Sequence, residues 1–121
     1  MNKAIVIDDD EPIREIFEVI LKKAGYEVTM MDAGEGLLMN DFDEPDIFII
    51  DKQLRGVDGL DICRYLKQRA RHASTPVIIV SASNRVEQQA RDAGADAFLA
   101  KPFKSKQLLE LVNKLLGQLK S

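Results

Sequence analysis

A chain of 121 residues with a formal net charge of −3 fits a single domain, and it carries no basic run that would mark a nucleic-acid footprint. Apolar residues at 45% and charged residues at 31% describe a folded globular protein and exclude a disordered one. The lone Cys63 excludes an internal disulfide or cysteine metal cluster, and no apolar run approaches the roughly 18 residues of a membrane span, so a reducing cytoplasm is the expected setting.

Lys3 to Ile7 is a short β-branched run, expected as a first strand. The apolar patch is too short and too soon acidic for a signal peptide, so no leader is expected. Asp8-Asp9-Asp10-Glu11 follows, and Pro12 suits the first turn of a helix. Ile13, Ile16, Phe17, Ile20 and Ala24 recur at helical spacing until Gly25 stops the helix. Tyr26 to Met31 reads as a second, partly polar strand. Ala33 to about Phe42 reads as a short second helix, weakened by Gly34 and Gly36.

Pro45 to Asp51 is the third strand. Ile47-Phe48-Ile49-Ile50 has the unbroken apolar character of a strand buried on both faces. Its last residue, Asp51, should avoid that neighbourhood unless the site uses its charge. A loop with Gly56 and Gly59 comes next. Leu60, Cys63, Leu66 and Ala70 then mark the buried face of a third helix, opposite Arg64, Lys67, Gln68 and Arg71. After Ser74-Thr75-Pro76, Val77 to Val80 forms strand four, ending at Ser81-Ala82-Ser83. Asn84 to Ala93 is a poorly amphipathic helix four. Ala97 to Ala100 is strand five, followed by Lys101-Pro102, whose peptide geometry the sequence leaves open. Lys104 to Leu119 is helix five, with Leu108, Leu111, Val112, Leu115, Leu116 and Leu119 at a 3.6-residue period.

Strand and helix alternate five times with no linker, so residues 1–121 are expected as one α/β domain, a doubly wound five-stranded parallel sheet. In open sheets of this kind the ligand site lies beyond the carboxyl ends of the strands. Asp8 and Asp9, Asp51, Ser81 and Lys101 all fall on that edge. Gathered carboxylates repel one another and need a cation. Hard oxygen donors suit Mg²⁺, Lys101 adds an ammonium, and Ser81 adds a hydroxyl. Together they make a cradle for a phosphoryl group accepted by an Asp51 oxygen.

Other residues have plainer roles. Asp10 and Glu11 favour the dipole at the start of helix one. Asp58 is expected to cap helix three, and Ser83 or Asn84 helix four. Cys63 reads as buried and inert. His72, in a polar stretch, reads as a surface residue. Phe98, taken alone, is a core aromatic.

The segments VIDDDEPIRE, PDIFIIDKQLRGVDGL, PVIIVSAS and GADAFLAKPF together resemble the receiver domain of two-component response regulators, of the single-domain, chemotaxis-regulator-like kind, over the whole chain. The resemblance implies a flavodoxin-like (βα)5 fold with strand order 2-1-3-4-5. It implies that Asp51 is the phosphoacceptor. Asp8 and Asp9 would hold Mg²⁺ with Asp51 and the backbone carbonyl of Gln53. Lys101 would be the family lysine, and Ser81 and Phe98 the switch pair. The donor would be a sensor histidine kinase or a histidine phosphotransfer protein. Phosphorylation would alter the face of helix four, strand five and helix five toward a downstream target, a fused output domain or a dimer partner. Such a domain promotes only its own phosphotransfer and dephosphorylation and is not an enzyme proper. Two residues depart from the pattern: Arg55 stands where proline is usual, and Lys52 where an apolar residue is common. Gln53 and Ser83 flank the site where hydrolysis is tuned. A chain stopping at helix five suits a free-standing receiver or one domain of a longer protein.

Two alternatives differ in class. An aspartyl-phosphate-forming phosphatase or phosphotransferase would need an acid two residues beyond the nucleophile, where this chain has Gln53. A flavodoxin-like ligand-binding domain would need a phosphate loop after strand one, where this chain is acidic and would repel phosphate.

Overall fold

A computed structural model describes residues 2–31 and 44–120, apart from the side chains of 118–120. The helix expected from Ala33 to Phe42 lies outside the described residues. Five parallel strands form the sheet: β1 (Lys3–Ile7), β2 (Glu27–Met31), β3 (Ile47–Asp51), β4 (Val77–Ser81) and β5 (Ala97–Ala100), in the order β2-β1-β3-β4-β5. This is the expected 2-1-3-4-5 order. The described helices are α1 (Glu11–Lys23), α2 (Gly59–Gln68), α3 (Val86–Asp92) and α4 (Ser105–Lys120). A small antiparallel hairpin pairs Gln53–Leu54 with Val57–Asp58 between β3 and α2.

The unbroken apolar runs of β3 and β4 follow from burial on both faces. Ile47, Ile49, Ile78 and Val80 pack under α1 and α4, beside Phe17, Leu21, Leu108 and Val112. Phe48, Ile50, Val77 and Ile79 pack under α2 and α3, beside Leu60, Cys63, Leu66 and Ala90. Each such side chain contributes roughly 1.5–3 kcal/mol by leaving water. Register then decides where the polar residues emerge. Ile7 lies beside Ile50, Asp51 beside Val80, and Ser81 beside Ala100. The strands therefore run out together, and the next residue of each meets the others at one edge.

Several local expectations are corrected. In α1 the buried residues are Phe17 and Leu21, whereas Ile16 is 46% exposed and Ala24 is exposed. The apolar stripe turns about one residue from the expected line, toward the sheet. α2 ends at Gln68, leaving Ala70 exposed. α3 begins at Val86 with no side-chain cap; Ser83 Oγ instead accepts the Arg85 N–H at 3.3 Å. Asp58 does cap α2, accepting the Leu60 N–H at 2.8 Å. His72 is fully buried, not at the surface, with its ring edge-on to Phe48 at 5.6 Å. Consecutive turns, with Arg69 N–H donating to Leu66 O and His72 N–H to Arg69 O, fold it beneath the sheet. Cys63 is buried as expected, and burial pushes its thiol up to about 11, which keeps it an inert thiol at neutral pH. The Lys101–Pro102 bond is cis.

Candidate functional site

Asp8, immediately after β1, is 1% exposed. Such burial of a charge needs partners, and Asp8 has them on every side. Its Oδ1 accepts the Asp10 N–H at 2.9 Å, and its backbone carbonyl accepts from Arg14 Nη1 at 2.9 Å. Its Oδ2 lies 3.1 Å from Lys101 Nζ. The same ammonium is 3.4 Å from Asp51 Oδ1, so Lys101 stands between the two carboxylates. Its backbone is held in place by a 2.9 Å bond from the Lys101 N–H to Ser81 O.

The hairpin after Asp51 closes the other side. Lys52 N–H donates to Val80 O at 2.9 Å, and Gly59 N–H donates to Lys52 O at 2.8 Å. Gly59 allows this return. A Cβ there would lie 2.1 Å from the Asp51 carbonyl oxygen, so no other residue fits without moving the strand end. Lys52 pairs with Asp58 at 3.1 Å and does not line the Asp51 pocket. At the hairpin tip, the Arg55 N–H donates to Asp9 Oδ2.

These elements line an open cavity of about 610 Å³. Asp8, Asp9, Asp10, Glu11 and Asp51 supply its acids, Lys101 and Arg55 its cations, and Gln53 completes the wall. The Asp51 carboxyl is held above the usual range, first by burial and then by the Asp8 charge. Lys101 and the Gln53 N–H oppose both. Five carboxylates against two cations leave the pocket short of positive charge. An additional hard cation is what this all-oxygen set fits. Among the described residues, no three acids already converge at ligand spacing: Lys101 separates Asp8 from Asp51, and Asp9 faces the hairpin.

The structure thus brings Asp8, Asp9, Asp51, Gln53 and Lys101 to one pocket. Ser81 and Phe98 are not on its wall. Ser81 is 6% exposed and its Oγ accepts the Ser83 N–H at 3.1 Å. Phe98 is half-buried against the α2–α3 side of the core. Sequence reasoning missed Arg14, Gly59 and the Arg55 amide. Arg14 had a signal, one helical turn after Asp10; the Arg55 amide had none.

The family model for the response regulator receiver domain matches residues 4–113. The chain belongs to that family. Receiver domains of this family serve phosphorylation-dependent two-component signalling and interact with histidine kinases. The receiver is 34% identical over 119 residues to the DNA-binding dual master transcriptional regulator RpaA of Synechocystis. That match covers 96% of this chain and 49% of RpaA, so the chain spans about half the length of this curated relative. It also resembles the receiver domain of a signal transduction histidine kinase from Syntrophus aciditrophicus, with a TM-score of 0.90 and 28% identity over 99% of this chain and 93% of that one. The receiver domain of sensor histidine kinase PA1611 from Pseudomonas aeruginosa shares the fold at a TM-score of 0.87 and 23% identity, covering 96% of this chain and 98% of that one. Its structure has a magnesium ion in the active-site cleft. No helix among the described residues is long and apolar enough to cross a membrane.

Proposed function

We propose that residues 1–121 act as one cytoplasmic receiver unit that accepts a phosphoryl group on Asp51 from a phosphohistidine of a sensor histidine kinase or histidine phosphotransfer protein. The observation that carries this reading is the placement of Lys101 Nζ, 3.1 Å from Asp8 and 3.4 Å from Asp51, in a pocket where acids outnumber cations. Such a pocket favours an incoming cation and then an anion bridging to it.

Asp8, Asp9, Asp51 and the Gln53 carbonyl would hold Mg²⁺, in line with the magnesium-bearing cleft of the PA1611 receiver. When bound, Mg²⁺ neutralises charge on the transferring phosphoryl group. An Asp51 oxygen attacks phosphorus, the P–N bond of the donor breaks, and the imidazole nitrogen leaves with the bonding pair. Lys101 pairs with a phosphoryl oxygen and leaves its shared position between the acids. The product is an aspartyl phosphate, which water hydrolyses back to Asp51 and phosphate. The chain promotes these two steps on itself and turns over no separate substrate.

The added charge, about −1.5 to −2, is read by Ser81 and Phe98. The Ser81 hydroxyl exchanges its bond from Ser83 for one donated to the phosphoryl group, and half-buried Phe98 moves into the space released. The outcome is a changed surface over α3, β5 and α4 for a downstream target, a fused output domain or a second phosphorylated copy. Intact-mass spectrometry after acetyl phosphate and Mg²⁺ tests this. A labile gain of one phosphate, absent in Asp51→Asn, is expected; an unmodified mass despite bound Mg²⁺ sinks it.

A further inference from the structure

The hairpin tip carries a backbone contact that only a residue with an N–H can make. Here the residue is Arg55, and its N–H donates to Asp9 Oδ2 across 46 positions of sequence. The same residue is part of the cavity wall. Arg55 thus brings a backbone donor to Asp9 and a positive charge to the residues around the cavity.

We infer that the Arg55 backbone N–H is a positioning group for Asp9. It fixes one carboxylate oxygen so that the other is presented to a divalent cation in the pocket. The inference rests on the reading above of Asp9 as a Mg²⁺ ligand. Ligating carboxylates need such outer partners, because a free carboxylate rotates and must be ordered at the moment of binding. The Asp8 carboxylate is already ordered by the Asp10 N–H and Lys101. Asp9 follows the strand end and is half-buried, and Arg55 is the partner that orders it. The guanidinium acts in the opposite direction, since a cation beside a cation site weakens binding.

Two substitutions separate these effects. Arg55→Ala removes the charge and keeps the N–H. Arg55→Pro removes both. Gly56 has φ 75°, and Leu54 pairs with Val57. That places Arg55 first and Gly56 second in a two-residue turn with a positive φ at the second position, and Tm in EDTA reads whether the proline variant keeps the fold.

Mg²⁺ affinity of the whole chain is measured by titration calorimetry, and Tm is measured in EDTA. Arg55→Pro is expected to bind Mg²⁺ at least about tenfold more weakly than Arg55→Ala, with their Tm values in EDTA alike. Equal affinities, or tighter binding by Arg55→Pro, overturn the inference alone. Absence of Mg²⁺ binding by the unmodified chain overturns it together with the site reading. Amide exchange gives a check that needs no variant. The Arg55 amide of the unmodified chain is expected to exchange slowly in EDTA and to remain slow at saturating Mg²⁺. Fast exchange in either condition overturns the inference.

Discussion

Each edge of the sheet holds a lysine against a carboxylate, and the two pairs are built differently. At the amino edge, Lys67 Nζ lies 2.7 Å from Asp96 Oδ2 and donates to the Thr75 carbonyl at 2.7 Å. The same Asp96 oxygen accepts the Val77 N–H at 2.8 Å, so one cation and one anion fasten the entries of β4 and β5. At the carboxyl edge, Lys101 is shared by Asp8 and Asp51, with Asp9, Asp10 and Glu11 around the same cavity. The first pair is complete by itself. The second sits in a pocket whose acids outnumber its cations, Lys101 and Arg55. Burial first, and the Asp8 charge second, raise the Asp51 pKa there. What separates a site from a staple here is the uncompensated charge, not the presence of an ion pair.

The sharpest break in this comparison is Asp51→Asn. It is expected to abolish phosphate gain from acetyl phosphate and yet to stabilise the fold. Above its raised folded pKa, Asp51 is ionised in a place that disfavours ionisation, so it subtracts stability at neutral pH. Removing the charge should raise Tm by a few degrees. A lower Tm would mean that Lys101 already satisfies Asp51, and the imbalance would be wrong.

Gly59→Ala comes next. A methyl placed 2.1 Å from the Asp51 carbonyl must push the hairpin or the strand end away. A loss of about 3 kcal/mol in urea unfolding is expected, with slower phosphorylation of the folded fraction because Asp51 itself moves. A full rate in the folded fraction would show that the hairpin can shift without the acceptor.

Asp96→Ala should cost about 2 kcal/mol, because the partly buried Val77 N–H loses its acceptor and Lys67 keeps only backbone carbonyls such as Thr75 O. Phosphorylation of the folded protein should not change. A rate loss would join the two edges functionally and remove the distinction drawn between them.

The sheet and most of the site were legible because both follow from strand ends. A buried parallel strand announces itself by an unbroken apolar run, so Asp8, Asp51, Ser81 and Lys101 could be placed at one edge before any coordinates. What escaped depends on the chain meeting itself far from the local pattern. The Arg55 N–H to Asp9 bond is a backbone donor, and side-chain identity does not encode it. Gly59 looks like any loop glycine until the Asp51 carbonyl is seen against it. His72 sits among Arg69, Arg71 and Ser74, whose polarity suggested surface, yet the turns after α2 carry its ring under Phe48. In α1, a stripe through Ile16 and one through Leu21 both satisfy helical spacing; only the sheet's position chooses between them.

The smallest expected effect is one of pH, and it has opposite sign at the two edges. At the carboxyl edge Asp51 has a folded pKa above its ordinary 3.8, so acidification through that window relieves its penalty and adds stability. At the amino edge burial, aided by Arg71 and Arg69 and opposed by Glu44, holds His72 below its ordinary 6.5. As pH falls through 6.5 the unfolded chain takes up the proton first, so stability present above 6.5 is lost progressively down through the lowered folded value. Urea unfolding at pH 7.5 and 5.5 isolates this when His72→Gln is run beside the unmodified chain. His72→Gln loses the ring packing on Phe48 at both pH values, so it starts less stable; the gap between the two proteins should narrow at pH 5.5, by less than the Asp96→Ala loss. A gap that stays constant would mean that His72 keeps the same protons folded and unfolded, and that the amino edge is insensitive to pH in this range.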